Sequence, residues 1–217
     1  MESTDTLSID SVLDHIQATP ARLGRTRLVS VDGPAGSGKS SLAARLAARA
    51  EARGLTVLVL HMDDLYDGWD GATRGFGLLR DHVLSRLAEG REGRYRRYDW
   101  KLGAYAELHV VPATVELLIV EGVSSADRGA EPWQSLRIWI ETSNDVRLGR
   151  GIERDGEALR DRWLDWMRWE RDHFAVESTR DRADLIVDGN PAITHDPDTQ
   201  LVTKAVRLAS PNTPAAS

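Results

Sequence analysis

Gly33-Pro34-Ala35-Gly36-Ser37-Gly38-Lys39-Ser40 stands between RLVSVD at 27–32 and SSLAARLAARAEAR at 40–53. The first flank is an apolar, β-branched run of strand character. The second is built of Ala, Leu and Arg, strong helix formers, and Gly54 sits where a helix C-cap belongs. A loop of the form G-x-x-x-x-G-K-[ST] that joins a strand to a helix offers phosphate a nest of backbone N–H groups and a helix N-terminus. Lys39 is placed to reach the outer phosphates, and Ser40 supplies a hydroxyl for magnesium. With 18 glycines in the chain, the pattern arises by chance about 0.003 times per sequence. The loop therefore implies ATP or a related triphosphate with Mg²⁺. Its expected contacts are Gly33, Pro34, Ala35, Gly36, Ser37, Gly38, Lys39, Ser40 and Ser41.

Working outward, LTVLVLHM at 55–62 is a second uninterrupted apolar run, and 77–89 has helical character ended by Gly90. Apolar strands recur at 116–120, 136–140 and 183–187, with helices expected at 145–154 and 157–174 and a weaker pattern at 201–206. Continuous apolar strands alternating with helices require a parallel sheet covered on both faces. Ahead of them, Leu7, Ile9, Val12, Leu13 and Ile16 recur at helical spacing behind Ser8 and Asp10, and Pro20 closes a helix over about 8–19. Short alternating segments within 94–111 predict a hairpin-like insertion. The expected fold is thus α/β, a three-layer P-loop NTPase domain over 1–209 with a mainly parallel five-stranded sheet. An arginine-rich segment spans about 145–175, and SPNTPAAS at 210–217 is expected to be a flexible tail.

Composition narrows the function. The 217 residues contain no cysteine, which excludes a disulfide framework, a thiolate zinc site and a Cys nucleophile. The longest apolar runs fall far short of the ~20 residues a membrane span needs, so a soluble cytoplasmic protein without membrane contact is expected. A net charge of -6 argues against nucleic acid held on a broad basic surface; Arg91, Arg94, Arg96 and Arg97 form the one basic cluster. Self-association of identical chains stays open. No Asn-Lys-x-Asp segment selects guanine, and 117–120 ends in Glu121-Gly122, not in the Asp-Glu pair of many ATP-driven motors. Small-molecule kinases remain.

In a doubly wound sheet, ligands sit beyond the carboxyl ends of the strands. Asp63 and Asp64 follow one apolar strand and Glu121 another, so carboxylates distant in sequence meet at one crevice. Phosphoryl transfer needs one carboxylate to take the acceptor's proton and another to help hold Mg²⁺. Asp63 is assigned to the first task, close enough to share in the second; Glu121, with Ser40, is assigned to the metal. Asp64 reads as a loop cap, and His61 and His109 lack metal-ligand spacing.

These segments resemble the uridine kinase group of P-loop kinases, with its phosphoribulokinase-like and pantothenate kinase-like relatives. The resemblance spans most of 28–189. It rests on GPAGSGKS (33–40), MDDLY (62–66), YDW (98–100), PATVELLIVEGV (112–123), DVRLGRGIERD (145–155) and RADLIVDG (182–189). It implies Asp63 as catalytic base, Glu121 near magnesium, and an arginine-rich lid over about 145–175 that closes over ATP. The chain departs from the group after the base: DGWDG (67–71) replaces Phe-Asp-His-Pro, and no histidine follows the YDW segment as in nucleoside kinases.

Arg147, Arg150 and Arg154 share one helix face and can meet phosphates, Arg147 and Arg150 on the nucleotide and Arg150 and Arg154 on the transferring group. Trp163, Trp166, Met167 and Phe174 read as packing. Trp69 and Trp100 lie in loops beside the acids and suit a small metabolite, with Tyr66, Tyr98, Asp70 and Arg154 as further acceptor contacts. The expected activity is transfer of the ATP γ-phosphate to the hydroxyl of a small-molecule acceptor, a nucleoside first. Pantothenate, a sugar or a sugar phosphate, and a regulatory ATPase without metabolite substrate, are the alternatives.

Overall fold

Ser8 divides the first two elements of the computed structural model, which describes residues 5–208; the tail read at 210–217 lies outside them. Strand β1 (Asp5–Ser8) leads into helix α1 (Ile9–Ala18), whose first turn is capped by Ser8 Oγ accepting from Asp10 N–H at 3.1 Å. Leu7, grouped by its spacing with the helix, belongs to the strand. Four residues are too few to show a period of two, which is why β1 escapes detection.

Strand β2 (Arg27–Asp32) runs through the phosphate loop into α2 (Lys39–Ala52), and β3 (Val57–His61) follows. Helix α3 (Ala72–Leu79) passes through a π-helical turn, Arg80–Leu84, into α4 (Ser85–Ala88). It begins five residues before the expected 77 because Gly75 is a packing residue here. A Cβ on Gly75 would fall 2.5 Å from the Tyr66 ring, so only glycine lets the helix close on that side chain. Strands β4 (Gly93–Asp99) and β5 (Ala104–Val111) form a separate antiparallel hairpin. The chain continues through β6 (Leu117–Glu121), β7 (Gln134–Glu141), α5 (Asn144–Asp155), α6 (Arg160–Glu177), α7 (Thr179–Arg182), β8 (Leu185–Asp188) and β9 (Gln200–Val206).

The main sheet has seven strands in the order β1-β9-β8-β7-β2-β6-β3. The five expected strands are its parallel members; β9 and β1 extend one side by antiparallel pairing. Each central strand feeds both faces. Leu28, Leu118 and Val120 pack with Leu60, Phe76, Leu79 and Trp166, whereas Val29, Val31, Leu117 and Ile119 pack with α1 and α2 through Val12, Leu13, Leu42 and Leu46. This alternation makes the three layers, with β2 between β6 and β7 at the middle. The carboxyl ends of β2, β3 and β6 consequently open on one crevice. No described helix is long and apolar enough to cross a membrane.

Candidate active site

A cavity of about 690 Å³ lies at that crevice. Its floor is the phosphate loop and start of α2, with Ala35, Gly36, Gly38, Lys39, Ser40 and Ser41 on the wall. Gly33 can be nothing larger: at φ +142°, a Cβ would sit 2.1 Å from the Ile140 carbonyl oxygen. Gly33, Pro34 and Ser37 support the loop from behind this wall. Lys39 is buried, and its Nζ donates to the carbonyls of Gly33 at 2.9 Å and Pro34 at 3.0 Å.

Two strand ends supply the carboxylates. Glu121, at the end of β6, accepts from Ser40 Oγ at 2.9 Å on Oε1, and His61 Nδ1 lies 2.5 Å from the same oxygen. Burial opposes the Glu121 charge, but His61, Lys39 and Ser40 outweigh it and hold the carboxyl below its ordinary range. His61, which lacks metal-ligand spacing, is therefore a hydrogen-bonding partner of the site, and Glu121 raises its basicity. Asp63 stands on the 3₁₀ turn Met62–Asp64 after β3. Its side chain is accessible from the cavity, and its carboxylate makes no hydrogen bond among the described residues. The surrounding protein strips it of bulk solvation and Glu121 adds a like charge, so its carboxyl is pushed up despite Lys39 and Arg154. Asp64, read as a loop cap, also faces the cavity.

Helix α5 brings two arginines to the opposite wall. Arg150 donates to the carbonyls of Gly36 and Gly189 at 3.2 Å and to Asn190 Oδ1 at 3.0 Å. Arg154 is held by Asp155 at 2.8 and 3.0 Å and lies 5.6 Å over the Trp163 ring, whose Nε1 donates to Asp155 Oδ2 at 2.9 Å. The outer wall is aromatic: Tyr66, Trp69, Trp100, Trp163 and Trp166. Trp69 is its hub, edge-on to Trp100, Trp163 and Trp166 with centroids 5.8–6.3 Å away. Trp100 Nε1 donates to the Asp63 carbonyl at 3.0 Å, which ties the hairpin to the turn carrying the acid.

Four further expected contacts are placed otherwise. Arg147 is buried off the cavity wall, its guanidinium committed to the Ala35 carbonyl, Glu170 and Asn144. The Tyr66 hydroxyl donates to the Val123 carbonyl at 2.5 Å, so this residue offers the cavity a ring and no hydrogen bond. Tyr98 packs edge-on against Trp100 and Tyr105 outside the cavity, and Asp70 is exposed and off the cavity wall although its neighbour Trp69 lines it. Three members of the basic cluster are paired with acids, Arg91 with Glu89, Arg94 with Glu92 and Arg97 with Glu107, while Arg96 donates to the Ala106 carbonyl.

The model of the phosphoribulokinase / uridine kinase family matches residues 62–192. The chain belongs to that family. The match starts beyond the phosphate loop, so the loop and the family assignment are separate observations. The chain is a P-loop kinase, a phosphotransferase. No curated protein matches it in sequence. Among solved structures it is similar to a possible uridine kinase from Bacillus stearothermophilus, with a TM-score of 0.59 and 18% identity over 82% of this chain and 96% of that one. It is also similar to a candidate fructose transport system kinase from Silicibacter sp. TM1040, with a TM-score of 0.57 and 21% identity over 76% and 95% of the two chains. At such identities the likeness is one of fold.

Sequence reasoning about this family member missed Asp32. It is fully buried and accepts from the N–H groups of Gly33 at 2.7 Å and Ala126 at 2.9 Å, joining the phosphate loop to the segment after Glu121. An acid directly before the first loop glycine was the available signal. Burial raises its carboxyl from 3.8 to about 7, against the pull of those amides and Lys39. A carboxyl raised on folding binds its proton more tightly in the folded chain, so its contribution to stability is full below about pH 4 and is lost as pH rises towards 7. The loss amounts to roughly 4 kcal/mol for a shift of this size. Asp32→Asn is expected to remove that slope, measured as the difference in urea unfolding free energy between the two proteins from pH 4 to 8.

Proposed function

We propose that this chain is an ATP-dependent kinase of the cytoplasm that transfers the γ-phosphate to a hydroxyl of a small acceptor, a nucleoside first. The observation that carries the reading is convergence. Lys39, Ser40, Asp63, Glu121, Arg150 and Arg154, spread over more than a hundred residues, line one cavity with an aromatic wall beside Asp63. The enclosed position of Trp69 favours an acceptor pocket over a partner surface.

In this reading the loop amides and Lys39 hold the phosphates of ATP. The acceptor hydroxyl gives its proton to the Asp63 carboxylate as its oxygen forms a bond to the γ-phosphorus; the bond from phosphorus to the bridging oxygen breaks, and ADP leaves. Arg150 and Arg154 neutralise the charge spread over the transferring group. The Ser40 hydroxyl and Glu121 carboxylate, 2.9 Å apart, are the hard oxygen donors that Mg²⁺ prefers, and Glu121 Oε2 has no hydrogen bond among the described residues. Ser40 and Glu121 would hold the ion together with phosphate oxygens. Bound there, the ion supplies charge neutralisation on the β- and γ-phosphates.

The test is MgATP turnover with nucleosides, pantothenate, sugars and sugar phosphates, against acceptor-free hydrolysis. Acceptor-stimulated ADP release with nucleosides supports the reading; stimulation by another class transfers it to that acceptor, and hydrolysis that no acceptor stimulates favours a regulatory ATPase. Removing the hub of the aromatic wall with Trp69→Ala is expected to raise the KM of the acceptor about tenfold, the scale of one stacked base. The KM for ATP should stay within about twofold, since Trp69 belongs to the aromatic wall and not to the phosphate loop.

A further inference from the structure

Ala35, inside the phosphate loop, is held by both its N–H and its C=O. The N–H donates to Glu170 Oε2 at 2.8 Å, and the carbonyl accepts from Arg147 Nη1 at 3.1 Å. The same Nη1 donates to Glu170 Oε1, and Nη2 donates to Asn144 Oδ1 at 2.7 Å. The side chains of Arg147 and Glu170 are 6% and 2% exposed. An ion pair this deeply buried gives little net stability over apolar residues of similar volume, so stability is a poor account of its presence. Its geometry gives a better one. One residue on, Gly36 lies so close to α5 that a Cβ would fall 2.7 Å from the Arg147 carbonyl oxygen, and the Gly36 carbonyl accepts from Arg150. Helices α5 and α6 therefore grip residues 35 and 36, which themselves line the cavity.

We propose that Glu170 is a positioning residue for phosphoryl transfer, setting the path of the phosphate loop through Ala35 and Arg147 without touching the nucleotide. Its consequence for catalysis rests on the kinase reading above; the clamp itself does not. A carboxylate serves both ends at once: it accepts from the Ala35 amide with one oxygen and from the Arg147 fork with the other. Glutamine keeps the shape but turns N–H donors towards one of these two donors.

Glu170→Gln is accordingly expected to raise the Kd for MgATP about tenfold, as for other members of one hydrogen-bonded network. It should lower kcat by roughly ten- to a hundredfold, the cost of a small misplacement of reacting groups. Arg147→Lys, which keeps a cation beside Glu170 but loses the fork to Ala35 and Asn144, should move the Kd in the same direction. Arg171→Ala, an exposed neighbour paired with Asp172, should move neither constant. Below its unfolding midpoint, a Glu170→Gln protein with Kd and kcat within twofold of wild type would show a merely structural role and overturn the proposal. Hydrogen exchange on the nucleotide-free wild type decides the matter even where a variant does not fold. The Ala35 amide should be protected like those inside α2, and exchange at the rate of an open loop overturns the clamp. A wild type that binds no nucleotide would instead defeat the kinase reading, while the exchange result still stands for or against the clamp.

Discussion

Asn at position 63 is expected to lower kcat by roughly two to four orders of magnitude, the usual worth of a positioned general base. The Kd for MgATP should stay within about threefold of wild type, because the group acts on the acceptor's proton and not on the phosphates. The argument is geometric first. Asp63 sits on a short 3₁₀ turn beyond β3, fixed from outside by Trp100 on its own carbonyl, and its carboxylate is free of hydrogen bonds among the described residues. A carboxylate in this state has its lone pairs available to an incoming hydroxyl. Loss of bulk solvation in the cavity wall and the Glu121 charge push its carboxyl up, which makes it a stronger proton acceptor than an ordinary aspartate. The sign of the pH effect follows: the base works when deprotonated, so kcat falls as pH drops through a pKa above the usual aspartate range. Steady-state kinetics from pH 5 to 9 should show that acid limb in the wild type and lose it in Asp63→Asn. Full activity in the variant would remove Asp63 from the role.

Much of this site was readable because its parts are local. The phosphate loop announces itself by spacing alone, and Asp63 and Glu121 stand where apolar runs end, so the strand-end rule finds them without knowledge of the strand order. The sheet's outer edge was harder. Four residues of β1 show no period, and β9, legible only as the weaker pattern at 201–206, mixes Thr203 and Lys204 into its apolar run, so their antiparallel pairing emerges only in three dimensions. Arg147, Arg150 and Arg154 share a face as their spacing requires, yet that face meets two surroundings. One turn up it lies against the loop and Glu170; one turn down it borders the cavity. Spacing on a helix cannot say where along its length a cavity begins. Trp163 and Trp166 read as core and are core, but a cavity wall is made of core residues, so the two readings were never exclusive. Asp32 and Glu170 have partners 94 and 135 residues away, and no periodicity encodes such a contact.

Lys39→Ala is expected to weaken MgATP binding by about a hundredfold or more, the scale of losing one partner from a buried, hydrogen-bonded charge interaction. Lys39 is the buried ammonium whose charge is felt by Asp32, Asp63 and Glu121 together. Its loss removes a positive charge from the place where the phosphates bring more negative charge, and it removes the two hydrogen bonds that draw the Gly33 and Pro34 carbonyls inward. Alanine leaves those carbonyls without their donor, so the loop itself is expected to loosen. A second effect separates this variant from Asp63→Asn. Without Lys39 both Asp63 and Glu121 lose a stabilising charge and their carboxyls move up, so the acid limb of any residual activity should shift to higher pH, whereas loss of the base abolishes the limb. Calorimetric titration with MgATP, followed by the pH profile of the remaining turnover, measures both. An unchanged ATP affinity would take Lys39, and with it the phosphate loop, out of the binding site.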